Sequence, residues 1–167
     1  GDAINREVNA RVLALEYLIR QKALGGVTET VPSYRSLLVY YDPLAVGWDE
    51  LTKSLRTLWR EARPEVLPPA RTVEIPCCYG GDLGFELEAA ARKIGLPADE
   101  MARLHASTDY YVYFVGFTPG LPYMTGMPVR LEIPRLDQPR TKTPPGSVAI
   151  GGIQCCIYSV ESPGGFW

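Results

Sequence analysis

Val8, Val12, Leu15 and Ile19 recur at helical spacing behind Asn5, a good N-cap, and Gly25–Gly26 closes the predicted helix. Val27–Val31 predicts a strand, Pro32–Ser33 a turn, and Tyr34–Tyr41 a second strand rich in Leu, Val and Tyr. Asp49 caps a second helix whose inner face is Leu51, Leu55 and Leu58, with Trp59 beside it. Glu61–Ala70 holds three prolines and no periodic pattern, which predicts a linker. Arg71–Pro76 alternates and predicts a strand. A helix follows from about Phe85 to Ile94, with Leu87, Ala90, Ala91 and Ile94 as its stripe and Gly95 as its stop. Pro97 then opens a short helix reaching about His105.

The element order of the first part is thus α-β-β-α-β. A ferredoxin-like domain is βαββαβ, so the expectation is such a lobe with its first strand missing. From Tyr110–Val115 onward the character changes: short apolar segments are punctuated by Gly and Pro down to Gly164–Gly165. That pattern predicts a β-barrel whose last strands are missing, because the chain ends in what reads as the start of another strand. The fold class is α+β. The domains are residues 1–70, an N-terminal α/β lobe with its linker, and residues 71–167, the barrel, incomplete at its C-terminus.

Composition narrows the function classes. Hydrophobic residues make up 46%, enough for a packed core. With 22% charged residues and a formal net charge of -2, the chain has no general attraction for nucleic acid or anionic lipid. No apolar run is long enough to span a bilayer, and the opening residues carry no signal-peptide pattern, so a cytoplasmic location is expected. Cysteines occur as adjacent pairs, Cys77–Cys78 and Cys155–Cys156, without CxxC spacing, and His105 is the single histidine. A metal site is not expected; four buried, reduced thiols are.

Three segments could carry chemistry. In Gly116–Tyr123, glycines and prolines preset a loop flanked by Phe117 and Tyr123, with Pro119 and Gly120 at its tip. It is either a pocket wall or a tight barrel corner. In Pro139–Gln154, Arg140 and Lys142 would share one face of a strand. Arg140 could clamp a carboxylate or phosphate, Gly146 and Ser147 could supply N–H and hydroxyl donors, and Gln154 could pair with an amide. A solvated basic edge strand is the competing reading. Tyr158 precedes Ser162–Gly165, where Gly164 and Gly165 form either a turn or an anion-binding nest. His105 is either a general acid or base or a structural anchor at a helix end. No GxSxG elbow, GxxxxGK[ST] loop or HExxH motif is present, which favours a polypeptide that shares its chemistry with partners.

The segments Val39–Pro43, Ile75–Gly81, Leu104–Ser107, Val112–Tyr123, Pro139–Gln154 and Glu161–Gly165, in this order, resemble the KipI / 5-oxoprolinase B-subunit family, also known as allophanate hydrolase subunit 1. The chain is similar as well to one half of the carboxyltransferase domain of urea carboxylase. The resemblance implies that the barrel is cyclophilin-like. It implies two partners, a C-subunit with a related barrel and an A-subunit, which together with this chain open 5-oxoproline to L-glutamate at the expense of ATP. ATP then belongs to the complex rather than to a motif of this chain. On that footing Arg140, Ser147 and Gln154 are the candidate catalytic residues. Phe117, Pro119, Gly120, Tyr123, Gly146, Gly164 and Gly165 are candidates for substrate binding, with His105, Lys142 and Tyr158 as further candidates. The resemblance leaves two alternatives open: a carboxyltransferase-type component acting on urea-like amides, or a KipI-type inhibitor of a sensor histidine kinase. Cys155–Cys156 stands where the family has a Thr-Gly-like pair, and Ser159 where it commonly has proline.

Overall fold

A computed structural model describes residues 4–167. The strand expected ahead of the first helix lies outside them. The chain divides into two compact units, one ending at Thr72 and one beginning at Val73, and each is described by itself.

In the first unit, α1 (Arg6–Gln21) starts where Asn5 Oδ1 accepts from Val8 N at 2.7 Å, as the sequence predicts. Its inward stripe is Asn9, Val12, Ala14 and Ile19. Asn9 is fully buried, and its Nδ2 donates to Ser33 O and Tyr34 O at 3.1 and 3.3 Å. A buried amide must be paired, so this residue ties α1 to the turn between β1 (Val27–Pro32) and β2 (Leu37–Tyr41). These strands pair antiparallel. β2 begins at Leu37 rather than Tyr34 because the Ser33 N–H donates to Ser36 O at 2.9 Å and closes the turn first. α2 (Trp48–Glu61) buries Leu51 and Leu58. Its N-cap is Gly47, not Asp49; Asp49 sits inside the first turn, where its charge favours the positive helix end.

A 3-10 turn, Pro64–Val66, follows α2. The strand expected over residues 71–76 does not form: Val73 and Ile75 are 60% and 58% exposed. Alternation makes a segment suitable for a sheet, but a strand needs a neighbour's N–H and C=O groups, and among the described residues none pairs with it.

The second unit packs helices on a sheet. A 3-10 turn, Gly81–Leu83, leads to α3 (Leu87–Ile94) and α4 (Ala98–Ala106). Strands β3 (Tyr111–Val115), β4 (Pro122–Thr125), β6 (Val148–Gly151) and β7 (Gln154–Ile157) form an antiparallel sheet in the order β3-β4-β7-β6. Strands β5 (Arg140–Thr143) and β8 (Ser162–Gly164) pair separately. The fold is therefore α+β with open antiparallel sheets.

The period of two sorts the large sheet's side chains onto its faces. Met124, Ile150 and Cys155 pack with Ala90, Ala91 and Met101 of the helices and with Leu131 and Ile133. Their chain neighbours Tyr123, Ala149 and Cys156 face the other way, with Leu121, Tyr158 and Phe166. The final residue joins this arrangement, since Trp167 N donates to Ile150 O, and Ile150 N to Trp167 O, both at 2.9 Å. Gly151 admits the ring of Phe166, which would lie 2.6 Å from an added Cβ.

Candidate functional site: a cleft on the helix-free sheet face

The face that the helices leave uncovered carries a cleft of about 280 Å³. Leu121, Cys156, Tyr158 and Phe166 are its buried components, and Phe117, Tyr123 and Arg135 are more accessible around them. Pro139 and the Pro163–Gly165 segment complete the lining.

The loop between β3 and β4 is shaped locally. Gly116 N donates to Leu121 O at 3.0 Å, Thr118 N to Gly116 O at 2.8 Å, and Ser159 Oγ to Pro119 O. Phe117 adopts φ 65° there, a left-handed conformation uncommon for a bulky residue. Its ring is left 64% exposed while still lining the cleft. Pro119 and Gly120 stand behind it and do not line the cleft; an added Cβ at Gly120 would press on Ser159 at 3.3 Å. Tyr123 enters from β4, stacked on Phe114 with ring centroids 4.6 Å apart. Tyr158 is held through its main chain: its N–H donates to Ser147 O at 2.9 Å, and its carbonyl accepts from Gly146 N at 2.6 Å. Gly146 and Ser147 thus position Tyr158 rather than line the cleft. Gly164 lies against the tip of Tyr158, where a Cβ would fall 2.0 Å from the hydroxyl. Burial raises the hydroxyl pKa values of Tyr123 and Tyr158 and pushes the Cys156 thiol up to about 12. At neutral pH all three are protonated and uncharged.

The structure brings together Phe117, Tyr123, Tyr158, Gly164 and Gly165 of the candidates named above. Arg140 is not with them. Its guanidinium pairs with Glu86, and its Nη1 donates to Phe166 O at 2.6 Å. It ties β5 to the main chain of Phe166, a cleft residue, and to the N-cap of α3. Arg140 and Lys142 do not share a face: the pairing of β5 with β8 slips between Arg140 and Thr143, so the inward positions are three apart. Lys142 points outward to Glu161 at 3.1 Å. Gln154 is not a lining residue either, but its Oε1 accepts from Arg135 Nη2 at 3.3 Å. Sequence reasoning missed Arg135, Cys156, Leu121 and Phe166. No local signal in the sequence singles out Arg135, whose place depends on Phe166 and Gln154.

His105 belongs to a second cluster on the helix-covered face. Its Nδ1 meets the Tyr79 hydroxyl at 2.6 Å and its Nε2 the Cys155 sulfur at 3.5 Å, while Tyr110 Oη donates to His105 O at 3.1 Å. Burial lowers the His105 pKa and pushes the Cys155 thiol up to about 12, so both are neutral and this cluster is a hydrogen-bonded anchor. All four cysteines are free, and Cys155 and Cys156 are buried as expected; Cys78 is exposed and Cys77 half-buried because the segment carrying them forms no strand. Among the described residues no group of three or more His, Cys, Asp or Glu could hold a metal ion, and no helix is long and apolar enough to cross a membrane.

Residues 1–167 match the family described as carboxyltransferase domain, subdomain C and D. The chain is 34% identical over 176 residues to the B-subunit of 5-oxoprolinase from Bacillus subtilis (strain 168), covering 99% of this chain and 73% of that protein. It is 37% identical over 142 residues to the 5-oxoprolinase B-subunit of Escherichia coli O157:H7, covering 84% and 64%. The crystal structure of TTHA0988 superposes with a TM-score of 0.88 at 34% identity, over 99% of this chain and 32% of that one. The Kluyveromyces lactis urea carboxylase shares the fold, with a TM-score of 0.69 at 19% identity over 95% of this chain and 16% of that one. The chain thus spans under two thirds of the E. coli relative and about a third of TTHA0988.

Proposed function

The chain belongs to the family of the carboxyltransferase domain, subdomain C and D, and on that premise we propose that it serves as the B-subunit of a 5-oxoprolinase. In this reading it acts in the cytoplasm with an A-subunit and a C-subunit, and the complex opens 5-oxoproline to L-glutamate while hydrolysing ATP. Its two units are then a ferredoxin-like lobe and a cyclophilin-like barrel. The names of the bacterial relatives support the activity. The observation that carries the role of this chain is the cleft, where two tyrosines and one arginine meet a buried apolar floor.

The chemistry of a lactam fits those groups. Opening the ring puts water on the carbonyl carbon, breaks the C–N bond and sends the nitrogen off as an amine. Negative charge gathers on the carbonyl oxygen on the way, and the Tyr123 and Tyr158 hydroxyls, kept protonated by burial, are donors able to stabilise it. A cleft of about 280 Å³ with one lining guanidinium has room for a five-membered ring acid, and ATP is assigned to the complex, since this chain carries no GxxxxGK[ST] loop.

The test is reconstitution with the partner polypeptides and measurement of glutamate released from 5-oxoproline with and without ATP. Release is expected only with ATP, and Tyr158→Phe should lower kcat at least about tenfold, since removing one oxyanion donor typically costs more than that. Turnover of urea with carboxybiotin, and none of 5-oxoproline, would replace this reading with a carboxyltransferase.

A further inference from the structure

The cleft contains one positive charge, on Arg135, and no carboxylate lines it. Several other cations of the second unit are already matched: Arg140 by Glu86, Lys142 by Glu161, and both Arg103 and Arg130 by Glu100. Arg135 differs. Its guanidinium carbon lies 4.7 Å from the centre of the Phe166 ring, and its Nη2 donates to Gln154 Oε1 at 3.3 Å. The ring face and the amide orient the fork of this exposed side chain, and no carboxylate among the described residues forms an ion pair with it. Five N–H donors are available to a guanidinium, and Gln154 takes one of them. The charge also bears on the cleft's own groups, opposing the upward shift that burial imposes on Tyr123 and Cys156. A cation oriented beside apolar and neutral surfaces is a receptor for an anion with an apolar body.

We infer that Arg135 is the carboxylate-recognition residue of this cleft, and that the ligand class is a small ring-bearing carboxylic acid. A volume of about 280 Å³ corresponds to roughly nine waters at about 30 Å³ each, room enough for a small ring acid. The inference rests on the cleft being the substrate site proposed above. It moves the anion-binding part from Arg140, whose guanidinium is engaged, to Arg135, and it gives Gln154 the part of positioning that guanidinium.

Binding to the purified chain tests it, using cyclopentanecarboxylate, 5-oxoproline and the uncharged lactam 2-pyrrolidinone in calorimetric or ligand-observed NMR titrations. Both acids should bind, and the uncharged lactam at least about tenfold more weakly. Arg135→Gln should weaken the acids by roughly ten- to a hundredfold, the range for a hydrogen bond to a charged group, and leave the lactam unchanged. Arg130→Gln removes the same charge outside the cleft and should change nothing. Thermal unfolding checks that Arg135→Gln is folded; if it is not, Arg135→Lys, which keeps the charge and loses the planar fork, should still weaken the acids relative to wild type. The inference is overturned if acid affinity survives Arg135→Gln, if Arg130→Gln lowers it equally, or if wild type binds the lactam as well as the acids or binds no acid. If both acids bind through Arg135 while the reconstituted complex releases no glutamate, the inference stands and the oxoprolinase reading falls.

Discussion

A methyl group added at Gly164 would sit 2.0 Å from the Tyr158 hydroxyl, 2.7 Å from the ring carbon bearing it and 3.0 Å from Thr143 Oγ1. Those side chains are buried and cannot swing away freely, so Gly164→Ala should destabilise the chain by about 1–3 kcal/mol, the usual cost of overpacking. One residue on, a Cβ at Gly165 meets only Pro139 at 3.7 Å, an ordinary contact, and Gly165→Ala should stay within about 0.5 kcal/mol. Urea midpoints of the two variants separate these outcomes. Deleting the hydroxyl as well, in Gly164→Ala/Tyr158→Phe, should recover part of the loss; strict additivity would show that the clash lies elsewhere. The same resolution explains the paired cysteines. Cys155 and Cys156 are adjacent in sequence yet lie on opposite faces of β7, one beside His105 and one in the cleft. Their shared pKa of about 12 comes first from burial in both cases.

At the scale of elements, His105 locks the end of α4 to β7 through Cys155 and to the segment carrying Tyr79. Burial lowers its pKa below the ordinary 6.5, so the unfolded chain binds a proton there more readily than the folded one. The stability held by neutral His105 is complete above about pH 6.5 and is lost as pH falls toward the folded value, with a slope of up to about 1.4 kcal/mol per pH unit. Tyr79, Tyr110 and Cys155 surround it, and burial raises the pKa of each, so none supplies a compensating negative charge in that range. His105→Gln should flatten the fall in denaturant midpoint between pH 7 and 5.5; identical slopes for variant and wild type would refute the assignment. Elements of this kind were legible in the sequence where the signal is local. The 3.6-residue period and Asn5 defined α1, and the glycines and prolines of 116–123 marked the loop that does wall the cleft. What depends on distant partners was not. The slip in β5 that separates Arg140 from Lys142 is set by β8, and the weight of Arg135 comes from Phe166, thirty-one positions later, with Gln154 between them in sequence.

For the whole molecule, the stretch between α2 and the turn at Gly81–Leu83 matters most. The sequence places a linker over residues 61–70, and α2 continues to Glu61 before the chain becomes irregular. From Pro68 to Pro76 every residue is exposed and none is in a helix or strand. Among the described residues no backbone hydrogen bond involves this segment outside regular elements. Local opening there costs close to nothing, whereas cutting inside a helix or paired strand first requires breaking its hydrogen bonds. Arg71 is the basic residue inside the stretch, and Arg63, just before it, is followed by Pro64, which blocks trypsin. Dilute trypsin should therefore cut first after Arg71, giving one fragment ending there and one starting at Thr72, both identified by intact mass. A first cut after Arg56 in α2 or Lys142 in β5 would mean that those elements open more readily than the irregular stretch, and the division at Thr72 would then not describe how the chain behaves in solution.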